Sequence, residues 1–148
     1  MLQTENGGCC PRGFKYFEHT KKCYKFIHKQ LSWSESESEC RSFFGGHLAS
    51  VHDLKTNDFL FSLMMPNYGN AFIGGYKKAD GQWYWTDGTT MDYLHWHQDN
   101  INKMPDNVGG EENYMEIFYY FGEGFWNDMN LVHKRPELKH GFICQVEM

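Results

Sequence analysis

Oxygen donors crowd one stretch of this chain. Between Trp96 and Glu111 lie Asp99, Asn100, Asn102, Asp106, Asn107, Gly109 and Gly110, with no apolar periodicity. Glu111-Glu112 close the stretch, and Asn127-Asp128 follow a short way on, directly after Trp126. Carboxylate and amide oxygens are hard donors, and calcium takes six to eight of them at ~2.3–2.6 Å. Carboxylates gathered from unrelated positions repel one another unless a cation shares their charge. An aperiodic stretch of this length in a short chain is characteristic of a functional loop. The chemistry on offer is coordination of a hard cation. The bland alternative is a solvated acidic loop, with Trp126-Asn127-Asp128 serving strand packing alone.

Other reactive residue types form weaker patterns. His95 and His97 alternate if extended, so their rings would face apart rather than share a zinc ion. His47 and His52 bracket a short strand and read as surface or hydrogen-bonded residues. Ser34, Ser36 and Ser38 with their intervening glutamates read as a polar helix face. No Ser/His/Asp context, glycine-rich phosphate loop or paired-carboxylate motif stands out, so binding rather than catalysis is expected. The net charge of -5 and the two short lysine pairs, Lys21-Lys22 and Lys77-Lys78, speak against nucleic acid. Aromatic residues make up 18% of the chain and include Trp83-Tyr84-Trp85. Such side chains build cores and also binding surfaces.

The five cysteines, Cys9, Cys10, Cys23, Cys40 and Cys144, lack the C-x-x-C spacing of a zinc site. Two bridges and one spare thiol in an oxidising compartment fit better, so a secreted protein is expected. No apolar run approaches the ~20 residues that span a bilayer. Residues 1–8 are polar and read as a flexible tail, leaving 9–148 as a single domain.

The elements that would position the loop are legible. Residues 10–26 read as a β-hairpin around Glu18-His19-Thr20-Lys21. Ser32-Trp33-Ser34-Glu35 is a capping box that starts a helix carrying Trp33, Glu37, Cys40 and Phe44, stopped by Gly45-Gly46. Asp53 caps a second helix carrying Leu54, Phe59, Leu60 and Leu63, closed by Pro66. Short strands follow at Ala71–Gly74, Trp83–Trp85, Tyr114–Phe118, Gly124–Trp126 and Phe142–Cys144, and the functional loop spans about 97–112. Helices first and strands second make an α+β domain.

In this order the motifs resemble the C-type lectin superfamily, from Cys10 to Cys144. Cys10-Pro11 to Cys23-Tyr24 is similar to the extension of the long-form domains, and Ser32-Trp33 through Cys40 to the first helix. Phe72-Ile73-Gly74-Gly75 stands where the family has W-I-G-L. Trp83-Tyr84-Trp85-Thr86-Asp87-Gly88 resembles W-x-W-x-D-G, Trp126-Asn127-Asp128 the family's W-N-D, and Phe142-Ile143-Cys144 its last strand.

The resemblance implies a C-type-lectin-like fold with bridges Cys40–Cys144 and Cys10–Cys23. The family's second core bridge is absent, its positions corresponding to Tyr114 and Leu131. Cys9 is left over, either in a frayed tail or in an interchain bridge making a disulfide-linked dimer. The resemblance also implies a calcium site formed by Asp106, Glu112, Asn127 and Asp128, with the same residues and Val108 meeting the hydroxyls of a hexose. Met104 stands where the family has Glu or Gln, and a thioether is a poor ligand for a hard cation. Two registers are therefore open. The preferred one uses Pro105, whose peptide the family holds cis, an isomer that X-Pro bonds reach at ~0.5–1 kcal/mol. The other uses Asn100-Ile101-Asn102. Asp99, Asn100 and Asn102 are candidate substitutes for the ligand lost at Met104. The implied function is calcium-dependent sugar binding; the alternative is a lectin-like domain that binds a protein or other surface without calcium or sugar.

Overall fold

The computed structural model describes residues 2–5, 8–65, 69–99, 103–132 and 140–148, with side chains from residue 10 onward. Strand β1 (Leu2–Glu5) pairs antiparallel with β2 (Gly8–Pro11), so part of the stretch expected as a tail satisfies its backbone groups in a small two-stranded sheet. Strands β3 (Lys15–Phe17) and β4 (Lys22–Ile27) form the expected hairpin. Its turn is closed by the amides of Thr20 and Lys21, both donating to the Phe17 carbonyl. The Cys10–Cys23 disulfide ties its base.

Helix α1 (Trp33–Arg41) starts at the capping box. The Ser32 hydroxyl accepts from the Glu35 amide at 3.1 Å, and Glu35 accepts from the Ser32 amide at 3.0 Å. The helix ends earlier than its apolar spacing suggests. Ser42 caps it, and Phe44 lies beyond in a left-handed conformation (φ 53°), 75% exposed rather than on the buried stripe. The stripe is Trp33, Ser36, Glu37 and Cys40. Strand β5 (His47–Leu48) follows, then α2 (Leu54–Met64). The buried face of α2 is Thr56, Asn57, Leu60 and Met64; Leu54, expected inside, is half exposed at the first turn. Pro66 lies outside the described residues.

The Asp53 cap accepts from the Thr56 amide at 2.8 Å and pairs with His19 at 2.7 Å. Burial alone would raise the Asp53 carboxyl, but hydrogen bonds from His19 and Thr56 outweigh it and hold it down to about 2. Such a group contributes stability above its ordinary value of 3.8, lost as pH falls through about 2. Asp53→Ala is expected to cost ~1 kcal/mol at neutral pH. Asp53→Asn keeps a capping oxygen and should cost less, a ranking that urea midpoints would check.

The remaining strands are β6 (Asn70–Lys77), β7 (Trp83–Trp85), β8 (Tyr114–Tyr120), β9 (Glu123–Met129) and β10 (His140–Glu147). The main sheet runs β3-β4-β10-β6-β8-β9, with β5 added to β10 and β7 to β6. Only the β10–β6 pairing is parallel among the described strands. With α1 and α2 packed on this sheet the fold is α+β. The central strand β10 is buried from His140 to Val146, and the Cys40–Cys144 disulfide fastens it to α1. The glycine of Phe72-Ile73-Gly74 has a steric reason: a Cβ there would stand 2.7 Å from the Leu48 carbonyl oxygen. Trp85 and Trp126 meet edge to face at 5.5 Å in the core beneath the long loop. No helix among the described residues is long and apolar enough to cross a membrane.

Candidate functional site

The loop that carries the oxygen donors hangs from edge strand β9. The His97 amide donates to the Trp126 carbonyl, and the Trp126 amide donates to the His95 carbonyl, each at 2.9 Å. The Met104 amide returns to the His97 carbonyl at 2.9 Å, and Gln98 bridges to Lys103, closing a stem. The Met104–Pro105 peptide is cis. Beyond it the amides of Asp106 and Asn107 donate to the two oxygens of Asp128, at 3.1 and 2.7 Å. Asn107 is left-handed (φ 49°), a conformation that asparagine tolerates. Its side-chain oxygen accepts from the Glu112 amide at 3.0 Å, and its carbonyl accepts from Gly110. A 3₁₀ turn over Val108–Gly110 results, and the Val108 amide donates to Glu112 Oε1 at 2.7 Å.

The three carboxylates among the expected ligands converge. One carboxylate oxygen from each of Asp106, Glu112 and Asp128 lies within 4.8 Å of the others. Two oxygens at ~2.3–2.6 Å from one ion can be no more than ~5.2 Å apart, so the trio fits a shared calcium ion. Asp106 is exposed, whereas Glu112 and Asp128 are buried. Burial pushes the Asp128 carboxyl up; the amides of Asn107 and Asp106 pull it down, and the Asp106 charge raises it again. The site thus gathers negative charge that backbone amides only partly offset, the electrostatic setting that favours a cation.

Asn127 is oriented by a second carboxylate. Its amide nitrogen donates to Glu116 Oε2 at 3.0 Å, leaving Oδ1 as its side-chain acceptor. Glu116, almost fully buried, also accepts from Asn70 at 3.1–3.2 Å. Val108 is 55% exposed beside Glu112. Of the candidate substitutes for the ligand lost at Met104, Asp99 faces His97 Nε2 at 3.3 Å, while Asn100 and Asn102 lie outside the described residues, as does the whole Asn100-Ile101-Asn102 register. His95 stacks on Phe125 and His97 meets the same ring edge-on; neither joins a metal-ligating cluster among the described residues.

Tyr114 and Leu131, at the positions of the absent bridge, line one hollow. The Tyr114 ring packs 4.7 Å from Trp33, and the Leu131 carbonyl accepts from the Trp33 amide. Two polar residues escaped sequence reasoning: Asn107 as organiser of the loop, and Glu116 as anchor of Asn127. Asn107 before Val108-Gly109-Gly110 is a turn signal that could have been found; Glu116 sits in an apolar run that hides it.

Residues 29–146 match the family described as the lectin C-type domain. A lectin of Pleurodeles waltl is 36% identical over 134 residues, covering 86% of this chain and 71% of the relative. A galactose-binding C-type lectin isoform of Pseudechis australis is 33% identical over 151 residues, covering 98% of this chain and 88% of the relative. Among solved structures, the herring type II antifreeze protein superposes with a TM-score of 0.74 at 27% identity, covering 94% of this chain and 99% of the other.

Proposed function

The chain belongs to the C-type lectin domain family, and from that membership we propose that it is a secreted, calcium-dependent carbohydrate-binding lectin recognising hexose hydroxyls through its long loop. The observation that carries this reading is the convergence of Asp106 and Glu112, from the long loop, with Asp128 of strand β9. Asp106, Glu112, Asn127 through Oδ1, and Asp128 would hold the ion. When bound, calcium supplies a Lewis centre that accepts two vicinal hydroxyls of a hexose. The carboxylates of Asp106 and Glu112 and the amide of Asn127 hydrogen-bond the same hydroxyls, and the exposed Val108 side chain offers an apolar rest for a C–H face of the sugar. The kinship with a galactose-binding lectin and two disulfides that suit an oxidising compartment support glycan binding outside the cell.

Met104 leaves the ligand set one oxygen short of the family's. Water brings no charge to that place, and a loop segment must be ordered to fill it. A calcium dissociation constant toward the extracellular end of the range, ~10⁻⁴–10⁻³ M, is expected. Calorimetry tests this directly. Asp106→Ala should abolish calcium binding and Met104→Glu should tighten it, with sugar binding following calcium in a glycan screen. If Asn102→Ala removes calcium instead, the register is the other one. No calcium heat in the unmutated protein would favour a lectin-like domain that binds a protein or surface without metal, the reading that Met104 supports.

A further inference from the structure

A cleft of about 640 Å³ opens between β7 and the segment 88–96, and none of its lining residues belongs to the acidic trio. Its corner is built by two indoles, Trp83 and Trp96, whose rings stand 4.9 Å apart at 62°. Each indole is braced from elsewhere. The Lys77 ammonium lies 5.9 Å from the Trp83 ring, and Trp96 meets the buried Trp126 edge to face at 5.9 Å. The facing wall is fixed as well. Asp87 accepts from Ser50, from Gln145 and from both the amide and hydroxyl of Thr89, at 2.5–2.9 Å. His52 reaches Asp92 at 2.6 Å and Thr89 at 3.0 Å. The cleft is therefore shaped before any ligand arrives, which spares a ligand the cost of ordering it.

The lining identifies the occupant by its chemistry. Among the described residues the lining is indole, phenol, aliphatic, amide and hydroxyl, and the nearest charges are already engaged, Lys78 over the Tyr84 ring at 4.2 Å and Asp80 with the Tyr84 hydroxyl at 2.6 Å, so the lining suits a neutral ligand. The indoles and Leu94, 60% exposed, offer apolar faces, while Gln82, Thr89 and Thr90 offer amide and hydroxyl groups at the rim. An apolar side chain or acyl tail would make no use of the Gln82 amide or the Thr90 hydroxyl at this rim. A pyranose has one C–H face and a hydroxyl edge, and matches both. The cleft is also continuous with the loop, because Trp96 begins the stem that returns at Met104. Resting on the reading that this chain binds glycans, the geometry points to a second saccharide subsite at Trp83 and Trp96, independent of metal, that takes a further sugar residue of an oligosaccharide whose terminal hexose occupies the loop.

Two-dimensional NMR of the intact chain, following the indole N–H signals and the loop amides, tests both sites at once. With chelator present, lactose or mannobiose should shift the Trp83 and Trp96 indoles and leave the Asp106–Glu112 amides still. With calcium present, both sets should move. Trp83→Ala should weaken disaccharide binding about tenfold in calcium, while methyl glycoside binding stays unchanged. Indoles unmoved by either disaccharide, while the loop responds to calcium and sugar, overturn the subsite and leave the loop function standing. Indoles that shift in chelator while the loop ignores calcium overturn the loop function and keep the cleft. Silence of both overturns both.

Discussion

Calcium at about 10 mM is expected to raise the unfolding midpoint by about 3–11 °C. The ion binds the folded loop and not the unfolded chain, so it stabilises by RT ln(1 + [L]/Kd). For a dissociation constant of ~10⁻⁴–10⁻³ M that amounts to ~1.4–2.7 kcal/mol, and a chain of this size moves ~2–4 °C per kcal/mol. Glu112→Gln is the sharpest control. The amide oxygen of glutamine can still accept from the Val108 amide, so the calcium-free midpoint should hardly change. The lost charge should remove most of the calcium response. Asp128→Ala should remove it too, but at an added cost, because the Asp106 and Asn107 amides lose their acceptor. Scanning calorimetry with calcium and with chelator reads both effects. An unchanged response in Glu112→Gln would mean that the ion sits elsewhere.

Removal of the Cys40–Cys144 disulfide by paired alanine substitution is expected to cost more than removal of Cys10–Cys23. The first closes a sequence separation of 104 residues and the second one of 13. On the chain-entropy estimate such loops are worth ~4.7 and ~3 kcal/mol, and native bridges in small secreted domains typically contribute ~2–5 kcal/mol. The long bridge also joins α1 to the central strand, so its loss frees the two halves of the core from one another in the unfolded chain. Urea midpoints of the two double variants give the ranking. Equal losses, or a larger loss at Cys10–Cys23, would show that local packing rather than chain entropy sets the contribution.

Most of the frame was legible because its signals are local. The Ser32 capping box, the Asp53 cap and the strand runs from Ala71 onward depend on neighbouring residues and survive folding. Phe44 misled because spacing cannot show that the helix ends at Ser42 and that the chain turns left-handed at Phe44 itself. Leu54 misled because the first turn of a helix projects past the core it feeds. The acidic trio was legible only through the family resemblance, since Asp106 and Asp128 stand 22 residues apart and meet by tertiary contact. The amides that hold Asp128 were invisible, because backbone donors leave no mark on residue type. The tether from Asn127 to Glu116 was equally hidden, arising from strand register alone.

The stem of the long loop has a second duty, and it bears on attempts to alter what this protein recognises. Strand β9 is the outer strand of the main sheet, where unpaired backbone groups invite aggregation between copies. The backbone of His95 and His97 occupies both polar groups of Trp126, and the Asn57 amide covers the Gly124 carbonyl. A foreign loop grafted for a new specificity must therefore leave residues 95–98 and the returning Lys103 and Met104 in place, whether it is set between the arms of the stem or beyond Pro105. A graft that cut into Trp96 or His97 would expose the strand beneath, and the product would be expected to clump before it could be tested for binding.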